Sequence, residues 1–419
     1  MNKTAKETHP AKQKSLGEPK KQDHRILAQE LELYILDEKA GQGLPLLLPN
    51  WVIIRNKIVE FLQKKQQEFG FQEVITPILG SEFLYQTSGH LSHYQDYMFP
   101  ALSRNNETVY LRPMTCPHHC LIYQQKPRSY RDLPFRLCEN SILHRYESSG
   151  GLKGLERPRW FELADHHIFT TSEQLKEEFK KNYRYIAEIL ARFDFRTRLI
   201  CALHDPNNLE KYHPDKKIWD FSENLLINAL QELGLEYIIL TGEAAFYGPK
   251  LDFEVQAADG KNITIATIQL DFVSPQKFGL NYKDKEQKKQ IPVIIHQSPF
   301  GSYQRFIALL LEKTDGKLPF WLAPCQLAIL PINEEPEIKN YCQKLAEELE
   351  EINLRVKIFS QKKLKDRIRQ LYQKKIPYYL VVGEKEIEKK ILKLIYTYQK
   401  KEEELSEKEL YNKLKNENK

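Results

Sequence analysis

Three arginines, Arg145, Arg157 and Arg159, bracket a loop rich in serine and glycine (Ser148, Ser149, Gly150, Gly151 and Gly154). A planar guanidinium matches phosphate oxygens two at a time, and glycines let a backbone approach a ligand closely. The pattern therefore suits a clamp for a polyphosphate, with a plain surface hairpin as the rival reading. Cysteine and histidine offer a second chemistry. Cys116 and His119 form a C-x-x-H pair, a local spacing common at zinc sites, and His166 and His167 add two more imidazoles. No G-x-G-x-x-G or P-loop string is present, which removes the two commonest nucleotide cradles.

These groups need a scaffold. A strand-like run from Phe135 leads to Arg145 and Glu147, and a second run, Arg159 to Phe169, returns. The connection of about ten residues is longer than a hairpin turn needs, as working loops often are. Upstream, Arg25 to Asp37 and Trp51 to Glu68 have helical periodicity, and Phe71 to Leu79 reads as a strand placed at an edge or interface by Pro77. Val109 to Pro113 is a short strand and Cys116 to Tyr123 opens a helix. Downstream, Ser172 to Leu190 and Trp219 to Leu233 are amphipathic helices, with a strand over Tyr237 to Leu240. Ala244 to Lys250 is a tight turn between strands because Gly248-Pro249 cannot continue a ladder. Strands follow over Leu251–Val255, Asn262–Phe272 and Ile291–Ile295, then a helix opening near Gly301-Ser302. Strand after strand with helices between them predicts an α+β domain built on an antiparallel sheet flanked by helices.

Prolines near Leu318 to Pro324 mark a boundary. Beyond it strands (Gln326–Leu330, Arg355–Phe359, Tyr378–Val382, Ile391–Tyr398) alternate with helices (Glu337–Glu350, Leu364–Lys374), predicting a smaller α/β domain. The expected organisation is a disordered basic tail over 1–23, a first domain over 24–320 and a second over 321–419. The 419-residue length suits two or three domains, and 41% hydrophobic with 29% charged residues is ordinary for an enzyme. No apolar run approaches the ~18–20 residues of a membrane span. The tail lacks the apolar core of a signal peptide. Six scattered cysteines are no disulfide framework and fit a reduced, cytoplasmic setting. A net charge of +6 permits a polyanionic partner without demanding one.

A set of strings in fixed order then gives a family resemblance: HYQDYMF (His93–Phe99), RPMTCPHH (Arg112–His119), SYRDLPFR (Ser129–Arg136), HRYESSGGLKGLERPR (His144–Arg159), AFYGPKLDF (Ala245–Phe253), TIQLDF (Thr267–Phe272), IHQSPFGSYQRF (Ile295–Phe306) and WLAPCQ (Trp321–Gln326). From about His24 to Glu388 the chain resembles the threonyl-tRNA synthetases of class II. The resemblance implies a class II catalytic domain followed by an anticodon-binding domain, and a homodimer joined through the strand containing Pro77. It implies ATP, L-threonine and tRNA(Thr) as partners, with a threonyl-adenylate between them. Arg145 would hold the α-phosphate of ATP, Glu147 would read the adenine with Phe161 beneath the ring, and Arg305 would stack on its other face. Arg157 would meet the outer phosphates, bridged by Mg²⁺. Asp165, Tyr247 and Gln269 would bind threonine, Gln269 lying at the border with ATP. Cys116, His167 and His296 would hold one Zn²⁺ that accepts the amino and hydroxyl groups of threonine and rejects valine. From spacing alone His119 competes for this role, and His166 competes with His167.

Departures matter too. FELADHHIF replaces a run commonly FTQDDAHIF in the family, so Leu163 and Ala164 stand where polar residues are usual. The family's N-terminal editing domains have no counterpart before His24, so the expectation is no hydrolysis of seryl-tRNA in cis. Arg369, Lys375 and Glu386 would face the anticodon, Lys375 where arginine is common. A synthetase-like binding protein without charging activity is the alternative. Such proteins tend to lose the phosphate-binding arginines or metal ligands, and this chain keeps them.

Overall fold

The computed structural model describes residues 22–208 and 210–418. The tail expected over residues 1–23 thus lies outside the described residues as far as position 21, while Asp23 caps the first helix by accepting from the Arg25 amide. That helix is His24–Glu30, shorter than the expected Arg25–Asp37. It stops because Glu32 takes a positive φ of 53° and Tyr34–Ile35 enters a two-stranded ribbon with Leu46–Leu47.

The large sheet has eight strands in the order Ile238–Thr241, Arg198–Leu203, Lys250–Gln256, Asn262–Asp271, Val293–Ser298, Trp160–Thr170, Phe135–His144, Gln72–Glu73. Its interior pairs are antiparallel, as expected. The outermost pair at each edge is parallel, which periodicity along one strand cannot reveal. The expected strand Phe71–Leu79 is broken. Gln72–Glu73 joins the large sheet and Leu79–Ser81 joins a separate three-stranded sheet. Between them Thr76 leaves the ladder to give both its amide and its hydroxyl to Glu139, and Pro77 has no N–H to restore it.

Alternation along each strand sorts the residues between two faces. Ala164 and Ile168, Ile268 and Leu270, Leu251 and Phe253, and Ile295 point into one core with Ile54, Ile58 and Leu62 of helix Pro49–Glu68, with Phe179, Ile186 and Ile189 of helix Leu175–Arg192, and with Phe306 and Leu310 of helix Tyr303–Thr314. Leu226 and Leu230 of helix Lys216–Glu232 complete it. The opposite face, left free of this packing, carries Asp165, His167, Gln269 and His296. The turn over Ala245–Gly248 is as expected, and only glycine fits at 248: a Cβ there would lie 1.8 Å from the Leu270 carbonyl oxygen.

The second sheet runs Val356–Ile358, Leu327–Pro331, Tyr378–Val382, Ile391–Tyr396, Lys401–Ser406, parallel over the first three strands and antiparallel over the rest. Strand Lys401–Ser406 and helix Glu407–Glu417 were not anticipated. Their sequence is mostly Lys and Glu, and their apolar anchors are few, chiefly Leu410 and Leu414.

Candidate active site

The antiparallel register explains how residues distant in sequence meet. Gln269 pairs with His296, His296 with His167, and His167 with Leu137, so two imidazoles and an amide stand in one row across neighbouring strands. Cys116 reaches the same row from the first turn of helix Cys116–Gln124. The ligand atoms of Cys116, His167 and His296 lie within 4.8 Å of one another.

The ring nitrogens not aimed at this point are engaged elsewhere. His296 Nε2 sits 2.8 Å from Asp271 Oδ2, so it donates and leaves Nδ1 bare. His167 Nδ1 sits 2.9 Å from His119 Nδ1, and His119 Nε2 lies 3.1 Å from Glu139 Oε2. Both nitrogens of His119 are thus occupied, which removes the C-x-x-H rival. His166 is on the other face of its strand, fully buried, with Nε2 3.0 Å from Gln66 Nε2, and burial lowers its pKa to about 3. Burial, then the neighbouring His119 and His296, holds His167 far below its ordinary value, so its lone pair is available. Burial pushes the Cys116 thiol up. One sulfur and two imidazoles, each anchored through its second nitrogen, fit a zinc ion with an open position.

Beside this group lies a cavity of about 390 Å³ lined by Cys116, Arg145, Glu147, Arg157, Phe161, Asp165, His167, Tyr247, Gln269, His296 and Arg305. The eleven catalytic-domain residues to which the resemblance assigned ATP, threonine or the metal border this one space. Arg145 gives Nε to the Pro113 carbonyl at 3.3 Å and holds its guanidinium carbon 5.1 Å from the centre of the Phe161 ring. Arg305 gives Nε to the Glu156 carbonyl, and burial followed by the like charge of Arg145 lowers its pKa. Glu147 and Arg157 pair with each other at 2.8 Å. Arg159 departs from the clamp expected of it. It gives Nε to the Glu147 carbonyl and packs 4.5 Å from the Tyr146 ring centre, so it braces the loop instead of lining the cavity. Burial raises the pKa of Asp165, against the pull of His119 and His296, as suits a carboxylate awaiting a cationic partner.

Tyr247 and Gln269 were expected at the site, but Lys250, Asp252 and Thr267, which continue from them as a polar chain on the cavity wall, were not. Lys250 Nζ meets Asp252 at 2.6 Å, Thr267 donates to the same carboxylate, Gln269 donates to Thr267, and Tyr247 donates to Gln269. The signal was present as alternate residues of AFYGPKLDF and of Thr267–Phe272, the cavity-facing set of each strand. Leu163 also lines the cavity, putting an apolar surface where a polar one was expected for the family.

In the second domain Arg369 is exposed on helix Leu364–Gln373. Lys375 follows that helix with a positive φ of 52° and packs toward Gly316. Glu386 steadies the start of helix Glu384–Lys389 by accepting from the Gly383 amide. Glu386 therefore has a local structural role of its own.

Residues 97–314 match the tRNA synthetase class II core domain (G, H, P, S and T), and residues 326–417 match an anticodon binding domain. The threonine–tRNA ligase of Geobacillus sp. (strain WCH70) is 45% identical over 378 residues, 89% of this chain and 58% of that one. The threonine–tRNA ligase of Mycoplasmoides gallisepticum is 46% identical over 377 residues, covering 66% of its length. The chain thus spans less than two thirds of these relatives. A crystal structure described as the RNA binding domain of threonyl-tRNA synthetase from Cryptosporidium parvum Iowa II superposes with a TM-score of 0.88 at 34% identity, covering 94% of this chain and 98% of that one.

Proposed function

This chain belongs to the threonyl-tRNA synthetases of class II, and from that membership we propose that it joins L-threonine to tRNA(Thr) through a threonyl-adenylate at the expense of ATP. One observation carries the reading: Cys116, His167 and His296 converge beside a cavity that also holds Arg145 and Arg305. In this reading Arg145 meets charge that develops on the α-phosphate as the threonine carboxylate attacks and pyrophosphate leaves. Phe161 and the Arg305 plane flank the adenine. Glu147, restrained by Arg157, turns its carboxylate toward the base. Arg157 then has the outer phosphates within its swing, with Mg²⁺ screening them. Asp165 accepts an N–H of the amino group, and Tyr247, held by Gln269, closes the pocket. Zinc at Cys116, His167 and His296 would supply a Lewis-acidic position for the amino and hydroxyl groups of threonine.

Threonine-dependent ATP–pyrophosphate exchange tests this directly. Threonine should support exchange, serine should do so too because it carries both groups, and valine should be rejected. Exchange that ignores which amino acid is added would overturn the assignment. No residue of the cavity has been assigned to ester hydrolysis, so seryl-tRNA made by this polypeptide is expected to persist, and its rapid hydrolysis by the purified polypeptide would end that idea.

An apolar cluster supports the expected homodimer. Ile75 is 92% exposed and Phe83 71%, with Ile78 and Leu79 also exposed nearby. Apolar side chains clustered this way usually meet a partner. Ile75→Asp should lower the mass in sedimentation from dimer to monomer, and a parent that sediments only as monomer refutes the proposal. Among the described residues no helix is long and apolar enough to cross a membrane, and all six cysteines are free. A cytoplasmic location is proposed on that basis, for cell fractionation to check. Anticodon contacts at Arg369, Lys375 and Glu386 belong with the same proposal. Arg369→Ala should weaken tRNA charging while leaving pyrophosphate exchange intact, and unchanged charging would remove that residue from the list of contacts.

A further inference from the structure

The two imidazoles of the proposed metal site are anchored differently. His296 gives its second nitrogen directly to a carboxylate, Asp271. The Nδ1 of His167 reaches a carboxylate through another ring, that of His119, whose centre lies 4.7 Å away at 88°, while its Nε2 stands 4.0 Å from Asp165 Oδ1. Resting on the zinc reading above, we propose that His119 is a positioning residue whose contacts to Glu139 and His167 fix His167 as the Nδ1–H tautomer and present its Nε2 lone pair to the ion.

The direction of the relay follows from its buried end. Glu139, 2% exposed, accepts from Arg112 Nη2 at 2.9 Å and from the amide and hydroxyl of Thr76. Arg112 is itself 2% exposed and gives Nε to the Ile142 carbonyl. A carboxylate facing a guanidinium, an amide and a hydroxyl is held as an acceptor, so His119 Nε2 must carry the proton toward it. In the neutral ring Nδ1 then accepts, and its hydrogen-bond partner among the described residues is His167 Nδ1. The reverse tautomers would set the bare Nε2 of His119 against the Glu139 lone pairs at 3.1 Å. His119 is fully buried, so that mismatch carries the full cost of an unpaired buried polar group. His167 would also then present Nε2–H, which cannot ligate a metal. The relay therefore acts through a proton's position, and a residue of the same shape without donor and acceptor would not replace it.

The test uses the full chain loaded with zinc or cobalt(II). Zinc affinity is measured against a chromophoric chelator, and the cobalt site by its visible absorption. His119→Leu should bind zinc about 10- to 100-fold more weakly and shift the cobalt bands. His119→Gln, which has both a donor and an acceptor, should recover most of the loss. Parent-like affinity and spectrum in His119→Leu would overturn the proposal, as would equal losses in both variants. If His119→Leu does not fold, Glu139→Asp takes its place. It keeps the charge for Arg112 but withdraws it from His119, and it should weaken zinc binding as well; unchanged affinity counts against the relay. Cys116→Ser is the control on the premise. If the parent's zinc survives that change, the metal reading itself fails, which is distinct from failure of the relay.

Discussion

Arg145→Gln is expected to lower kcat for threonine-dependent pyrophosphate exchange by about 10²–10³-fold, the scale of losing one preorganised donor to a developing charge. The threonine KM should change little, because on the proposed reading Arg145 would meet the phosphates and other groups would read the amino acid. Stability should also change little. The guanidinium commits Nε to the Pro113 carbonyl and, among the described residues, pairs with no carboxylate, so its loss strands no buried opposite charge there. Equilibrium unfolding of the variant separates the two effects: a normal unfolding curve with a collapsed rate is the expected pair. A parent-like rate would remove Arg145 from the chemistry, and with it the reading of the cavity as an adenylate site.

The physical content of single strands was legible in the sequence, and the relation between strands was not. Alternation along Trp160–Thr170 was visible, so Asp165 and His167 could be set on one face and His166 on the other only once the strand was known to be buried on both sides. The row Gln269–His296–His167 depends on register across three strands, and no local pattern records register. That is why spacing favoured the local pair Cys116 and His119, whereas the fold uses His119 one step behind the site. The break of Phe71–Leu79 was half legible. Pro77 announced an interruption, but the demand of buried Glu139 for Thr76 comes from a strand far along the chain. Arg159 misled for a related reason: its charge and position matched its neighbours, and only packing against Tyr146 and the Glu147 carbonyl turned it away.

Specificity should respond most to the metal group, and His296→Ala is the sharper probe. Zinc is expected to fall from one per chain to a small fraction, since two protein ligands remain where three converged. The fold should tolerate the change, because Asp271 keeps the Val273 and Ser274 amides as donors and so keeps its cap on the following turn. A pocket that binds a substrate hydroxyl through a built partner can reject the analogue lacking it by about 10⁴–10⁵, whereas shape and apolar contact alone reach about 10². Threonine and valine are close in volume, and Leu163 on the cavity wall gives valine no polar surface to offend. The ratio of threonine to valine exchange in the variant should therefore drop toward the lower figure, mainly through loss of threonine activity. Serine should fall alongside threonine, because both use the same two groups. A variant free of zinc that still prefers threonine to valine as strongly as the parent would mean that Asp165, Tyr247 and Gln269 read the hydroxyl without the ion.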